Sequence, residues 1–86
     1  MRPTFAVSRT LRVLDTVALT HDIPAAKLCQ GDLGAIVEVL DADTLEIEFV
    51  AASGRTRALL TLHTSDVRPV GDHDLIAVRP LDQATD

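Results

Sequence analysis

Three histidines and their neighbouring carboxylates are the residues of this chain best suited to catalysis or metal binding. All lie in predicted loops or at strand ends: His21 beside Asp22, His63, and His73 between Asp72 and Asp74. Imidazole and carboxylate groups act as general acids and bases and as metal ligands. No second histidine stands at metal-ligand spacing, so solvated loops are the preferred interpretation. We expect no enzymatic activity, no metal and no cofactor, and keep a hydrolase or metal site at the His21 and His63 loops as an alternative.

The other reactive residue types have no partners at a recognisable spacing. Cys29 is the single cysteine, so no disulfide can form within the chain and reducing surroundings are favoured. We expect Cys29 to be a half-buried structural residue. Ser53 and Ser65 have no base at the spacing of a nucleophilic site.

The segment Gly31-Asp32-Leu33-Gly34 resembles a phosphate-binding loop only superficially. It lacks the Gly-Lys-Ser/Thr ending of such loops, and the apolar run that follows it indicates a strand where a phosphate loop has a helix. We interpret Gly31, Asp32 and Gly34 as a structural motif at the entry to this strand. Glycine there permits a positive φ or a close backbone approach, as at a bulge or sharp bend.

Two segments that follow this motif predict a β-hairpin. The first is apolar and covers residues 35–40, and Asp41-Ala42-Asp43 forms a turn after it. In the second, residues 44–49, apolar side chains occupy odd positions and polar ones even positions. Such alternation is typical of a strand with one face in solvent.

Further short strands indicate an all-β fold. We predict a first strand over 15–20 with Val17 and Leu19 inward, a fourth over 56–62, a 3-10 turn at 64–66 and a short strand at 67–68. Residues 25–30 form a loop with at most one helical turn, and 75–78 are an alternative extra strand. Short strands at this spacing predict a small barrel of about five antiparallel strands. The predicted division is an N-terminal arm (1–14), a barrel (15–70) and a C-terminal segment (71–86) with a frayed end.

Length and charge limit the function further. A chain of 86 residues forms one domain. Its net charge of −5 repels phosphate groups, so binding to nucleic acids in general is disfavoured. Residues 1–14 carry three arginines and no acid, whereas 15–48 carry eight acids and one lysine, so a basic partner or a match within the chain is favoured. No signal peptide or membrane span is evident, and we expect a cytoplasmic protein.

The stretch 15–70 resembles a family of small bacterial proteins of unknown function. Matching positions are Asp15, Val17 and Leu19; Gly31, Asp32, Gly34, Ile36, Val37, Glu38 and Val39; Glu48 and Phe49; and Val67, Arg68, Pro69 and Val70. The resemblance implies an SH3-like barrel, distantly similar to KOW modules. It also implies a small partner of a neighbouring protein, in some members one of a toxin–antitoxin-like pair.

Two apolar residues are expected outside this barrel. If Val37 and Val39 share the inner face with Leu33 and Ala35, then Ile36 points outward, as Leu59 does in the fourth strand. Either the flanking segments cover this patch or it binds another chain. An arm that covers the patch of a second copy would give a swapped homodimer.

These observations leave two binding functions open. The favoured one is a protein-interaction module, antitoxin-like or inhibitor-like, that docks a basic partner through Ile36 and Leu59 and the acids around them, namely Glu38, Glu46, Glu48, Asp41 and Asp43. The alternative is a KOW-like nucleic-acid module that uses Arg55, Arg57, Arg68 and the basic arm. The lack of exposed aromatic residues for base stacking weakens this alternative.

Overall fold

The protein is an all-β domain. The computed structural model describes residues 11–81, which form one sheet of antiparallel strands and contain no α-helix. The strands are β1 (Thr16–Leu19), β2 (Leu33–Asp41), β3 (Thr44–Val50), β4 (Thr56–His63) and β5 (Val67–Pro69). This confirms the predicted fold class of about five short antiparallel strands.

The first strand lies inside the sheet although it comes first in the chain. The strand order is β4-β3-β2-β1-β5, so β1 pairs with both β2 and β5, and the sheet is open with β4 and β5 at its edges. Two 3-10 turns connect strands: Pro24–Ala26 lies between β1 and β2, and Thr64–Asp66 lies between β4 and β5. The second was predicted at these residues, and the first overlaps the start of the loop predicted over 25–30.

The core lies on one face of the sheet. On β3 it takes every second residue, Leu45, Ile47 and Phe49, each almost fully buried, as the alternation predicted. Their cross-strand partners on β4 are Leu62, Leu60 and Ala58, which pack against the same core. Val17 and Leu19 of β1 complete it from the other side of β2 and are also buried.

The face prediction for β2 is wrong at Ile36 and Val37, and a bulge at Val37 reverses the alternation after them. Ile36 is completely buried opposite Ile47, but the next register pair is Glu38 with Glu46, so Val37 is an extra residue in β2. Val37, expected inside, is 37% exposed. Val39 is the register partner of the buried Leu45 and so lies on the core side, as expected, although it is 41% exposed. Gly34 and Ile36 are the residues that face the core in this part of β2. Gly34 has no side chain and gives no hydrophobic signal, so the sequence pattern assigned the apolar residues at odd positions to the inner face.

The segments that flank the sheet differ from regular strands. Residues 12–15 form a turn in which the Asp15 N–H donates to the Arg12 carbonyl at 3.0 Å. Residues 75–78 form no strand, and Leu75 and Val78 are almost fully exposed. The predicted arm up to Thr10, the homodimer it would form, and the frayed end beyond Leu81 lie outside the described residues. Between Leu11 and Leu81 no helix has the length and hydrophobicity to cross a membrane.

Candidate functional site

The solvent-facing side of β2, β3 and β4 brings three glutamates together. Glu38 of β2 is the direct register partner of Glu46 on β3, so their side chains project from the same face. Two residues further along β3, Glu48 lies between Ala35 of β2 and Leu59 of β4. We call the surface formed by Glu38, Glu46, Glu48 and Leu59 the acidic face.

Like charges placed directly opposite each other on neighbouring strands destabilise a sheet. The register partners of Glu46 are Glu38 and Thr61, and those of Glu48 are Ala35 and Leu59. None of these partners carries a positive charge that would offset the repulsion. Glu48 accepts a hydrogen bond from the Thr56 hydroxyl. The acidic face therefore concentrates negative charge without a positively charged register neighbour.

Leu59 supplies the apolar part of this face. Its side chain is 55% exposed, because β4 turns Leu60 and Leu62 toward the core and Leu59 away from it. The structure thus places Leu59 where the sequence did. It removes Ile36 from the predicted patch, since Ile36 has no exposed surface.

The two predicted acids beyond the glutamates belong to the β2–β3 turn. Asp41 Oδ1 accepts the Asp43 N–H at 2.9 Å, and this bond lowers the pKa of Asp41. The Asp43 carbonyl accepts the Thr64 N–H at 2.9 Å. Both residues are exposed at the end of the hairpin, so they extend the acidic face while they hold the turn.

The Gly-Asp-x-Gly motif has a structural role at every position. Gly31 has a φ of 91°, which a residue with a side chain rarely adopts. At Gly34 an added Cβ would lie 2.6 Å from Ile47 Cγ2 and 2.9 Å from Phe49 Cε2, so only glycine lets the core side chains of β3 close over β2. Between them, Asp32 Oδ2 accepts the Cys29 N–H at 2.8 Å and fixes the turn.

Asp32 also binds a residue that the sequence analysis did not single out. Arg79 Nε donates to Asp32 Oδ1 at 2.9 Å and Arg79 Nη2 to Oδ2 at 2.5 Å. The guanidinium lowers the pKa of Asp32, and the carboxylate raises the pKa of Arg79. This bidentate pair ties the C-terminal segment to the turn before β2. No local pattern could reveal it, since 47 positions separate the two residues.

His21 and His63 both lie beside the second 3-10 turn, where His21 Nε2 is 2.8 Å from Asp66 Oδ1. Within the described part of the chain no three histidine, cysteine or acidic residues could hold a metal ion together. The structure does bring Ser65 Oγ within 2.9 Å of His63 Nδ1, a contact that sequence reasoning missed. The same nitrogen accepts the Ser65 N–H, and Asp66 accepts the His63 N–H, so the contact is a cap on the 3-10 turn. The spacing of His63 and Asp66 is that of a capping box.

Cys29 and the three arginines of the predicted basic stripe lie in different surroundings. Cys29 is exposed, not half-buried, because it lies at the end of the connection before β2. Arg68 makes a bidentate pair with Asp74 at 3.0 and 3.1 Å. Arg57 lines a cavity of about 430 Å³ at the β3–β4 turn, and Arg55 is exposed. The predicted basic stripe is thus divided between separate environments.

Comparison with known proteins identifies the family. The profile of a family described as a domain of unknown function, DUF4926, matches residues 13–69. The chain belongs to this family. The DUF4926 match covers all five strands, and it starts and ends within two residues of the 15–70 stretch for which a resemblance was predicted. No curated protein and no solved structure gives a significant match.

Proposed function

We propose that this DUF4926 domain is a non-catalytic protein-interaction module whose acidic face docks a basic partner. The observation that carries the proposal is the cross-strand pair Glu38–Glu46, with Glu48 and the exposed Leu59 beside it. A sheet needs no such pair for its fold, because opposed like charges lower its stability. A cation placed between the two carboxylates turns that repulsion into attraction.

The chemistry of the face defines the kind of partner. An arginine can bridge two carboxylates with its fork of donors, and an apolar group beside it can cover Leu59. A dense negative surface also accelerates encounter with a positive one and makes the association sensitive to salt. Basic nucleases expose such arginines, so an antitoxin-like or inhibitor-like role, or that of an accessory partner of a neighbouring protein, follows from the same chemistry.

The proposal includes a setting for this function. We infer an SH3-like domain of bacterial origin that works in the cytoplasm. The position of β1 between β2 and β5, with a 3-10 turn before β5, supports the SH3-like architecture. The single, exposed Cys29 supports a reducing compartment, since a free thiol persists there.

Co-expression with the product of an adjacent gene tests the proposal. We expect a complex whose dissociation constant increases at least tenfold in a Glu38→Gln/Glu46→Gln variant and also increases in Leu59→Ser. Asp72→Asn is the matched control, because it removes an exposed negative charge from the turn after β5 and should leave binding unchanged. Failure to bind, or equal affinity of all variants, would refute the acidic face as the docking surface.

The nucleic-acid alternative is less well supported by the geometry. Arg68 is already paired with Asp74, and Phe49, the one aromatic residue of the described range, is buried and unavailable for stacking. Gel-shift measurements with RNA at about 100 mM salt separate the two functions, since a nucleic-acid module shows strong, salt-dependent binding. Such binding, lost on substitution of Arg55, would favour the alternative.

A further inference from the structure

Both ring nitrogens of His21 have hydrogen-bond partners. His21 follows β1 and begins the connection to β2. Its Nδ1 lies 2.8 Å from the Asp22 carbonyl oxygen, and its Nε2 lies 2.8 Å from Asp66 Oδ1 in the second 3-10 turn. Forty-five positions separate His21 from Asp66, so this contact joins distant parts of the chain.

The chemistry of the two partners decides the protonation state of the ring. A backbone carbonyl oxygen can only accept a hydrogen bond, and so can an ionised carboxylate. Asp66 is ionised, because His21 and the His63 N–H, which donates to Oδ2 at 2.9 Å, lower its pKa. Both nitrogens of His21 must then donate, and only the imidazolium has two N–H groups.

We propose that His21 is a pH-operated clasp that, when protonated, fastens the connection between β1 and β2 to the 3-10 turn before β5. The titratable groups that face it are Asp22 on its own loop and Asp66 on the turn, and the His63 N–H donates to the other carboxylate oxygen of Asp66. This device is independent of the proposed docking function, since His21 and Asp66 lie outside the acidic face.

Two bonds beside the clasp show what its release leaves behind. The Thr20 N–H donates to the Asp66 carbonyl at 2.9 Å, and the Thr20 hydroxyl donates to the Ser65 carbonyl at 3.0 Å. Neither titrates. Loss of the proton from His21 removes the charged link and leaves only the two Thr20 bonds to hold the connection on the turn, so these bonds open more often.

The direction of the pH effect follows from linkage. Asp66 and the Asp22 carbonyl raise the pKa of His21 above the ordinary value of 6.5. A group whose pKa is raised by folding stabilises the folded state fully below its unfolded pKa. The stabilisation is lost as the pH rises through the folded pKa, so the clasp opens at a pH above the ordinary histidine value of 6.5.

NMR titration of the His21 ring in the full chain is the first test. We expect a midpoint above 6.5 in the wild type and a shift back toward 6.5 in Asp66→Asn, whose neutral amide cannot hold the imidazolium as strongly. A wild-type midpoint at or below the ordinary histidine value would overturn the proposal. So would a midpoint that Asp66→Asn, in folded form, leaves unchanged.

A second variant keeps the test decisive if Asp66→Asn fails to fold, since Asp66 also caps the 3-10 turn. In His21→Gln the side-chain amide can donate to Asp66 but cannot titrate. Amide-exchange protection of Thr20, corrected for the intrinsic effect of pH, should fall in the wild type as His21 loses its proton and stay constant in His21→Gln. Equal pH dependence in the two proteins would show that His21 is not the clasp.

Discussion

Gly34 is where β2 and the core side chains of β3 come closest. Ile47 and Phe49 lie over its Cα, at distances that leave no room for a methyl group. Both are among the most deeply buried residues of the domain, so they have little freedom to move away. A densely packed core responds to a single added carbon with strain.

Gly34→Ala should therefore lower the free energy of unfolding by about 1–3 kcal/mol, the usual cost of overpacking. Urea unfolding of the two proteins measures the difference. Gly71→Ala is the control, because the nearest atom to its added Cβ lies at an ordinary 3.7 Å, and it should leave stability nearly unchanged. An equally stable Gly34→Ala would mean that β2 and β3 are further apart than described.

The Asp32–Arg79 pair predicts how the domain responds to acid. Arg79 and the Cys29 N–H lower the pKa of Asp32, so its stabilising contribution is complete above the unfolded pKa near 3.8 and is lost as the pH falls through the lower, folded pKa. Between these values, stability should decline less steeply with acid in Asp32→Asn and in Arg79→Gln than in the wild type. Denaturant unfolding at a series of acidic pH values checks this; parallel curves for the three proteins would contradict it.

For single residues, the sequence predicts the local structural role well and the contact partners that lie far along the chain poorly. The need for glycine at 31 and 34 is evident from a Gly-x-x-Gly entry to a strand. The partners of Asp32 and His21, Arg79 and Asp66, are not evident, because they lie 47 and 45 positions away. Only the fold brings such residues together.

At the scale of elements, the bulge in β2 decides which side chains reach the core. Before Val37 the even positions face inward, and the register with β3 then moves by one residue. The shift keeps Ile36 in the core and brings Glu38 opposite Glu46. Without it, the alternation that buries Ile36 would continue to the end of the strand, and the acidic pair would be misaligned.

Paired truncations test this assignment. Ile36→Ala should cost about 2–5 kcal/mol of unfolding free energy, since it empties a fully buried site. Val37→Ala should cost less than about 1 kcal/mol, because that side chain is 37% exposed. Chemical denaturation under identical conditions gives both values, and the reverse order would restore the face assignment expected from the sequence.

The contrast between β3 and β2 shows why one strand was predictable and the other was not. β3 alternates polar and apolar residues, so its buried face is determined by pattern alone. Around Ile36 and Val37, β2 has apolar residues at both odd and even positions, so the pattern does not show which face is buried. One inward-facing position is Gly34, which gives no hydrophobic signal. The bulge depends on register with β3, which no single segment encodes.

At the scale of the whole molecule, negative charge is in excess and is concentrated on one side of the sheet. The chain carries a net charge of −5, and the acidic face places three glutamates on two adjacent strands. Net charge of one sign opposes the compact state. Under the proposed function, the repulsion is retained because it makes the face attractive to a basic partner.

Glu46→Gln should therefore stabilise the isolated domain while it weakens the complex. Removal of one of two opposed charges is worth about 0.2–1 kcal/mol, which denaturant unfolding at low salt can resolve, and the gain should shrink as salt screens the repulsion. A variant less stable than the wild type would show that Glu46 has a structural partner instead.

The most direct measurement is the salt dependence of the dissociation constant for the complex with the adjacent gene's product, in the wild type and in Glu38→Gln/Glu46→Gln. We expect wild-type binding to weaken steeply between about 50 and 500 mM salt, over which the screening length shortens severalfold. The variant should bind more weakly at low salt and converge with the wild type at high salt. Two parallel curves, or no complex at any salt concentration, would contradict the claim that the acidic face docks a basic partner.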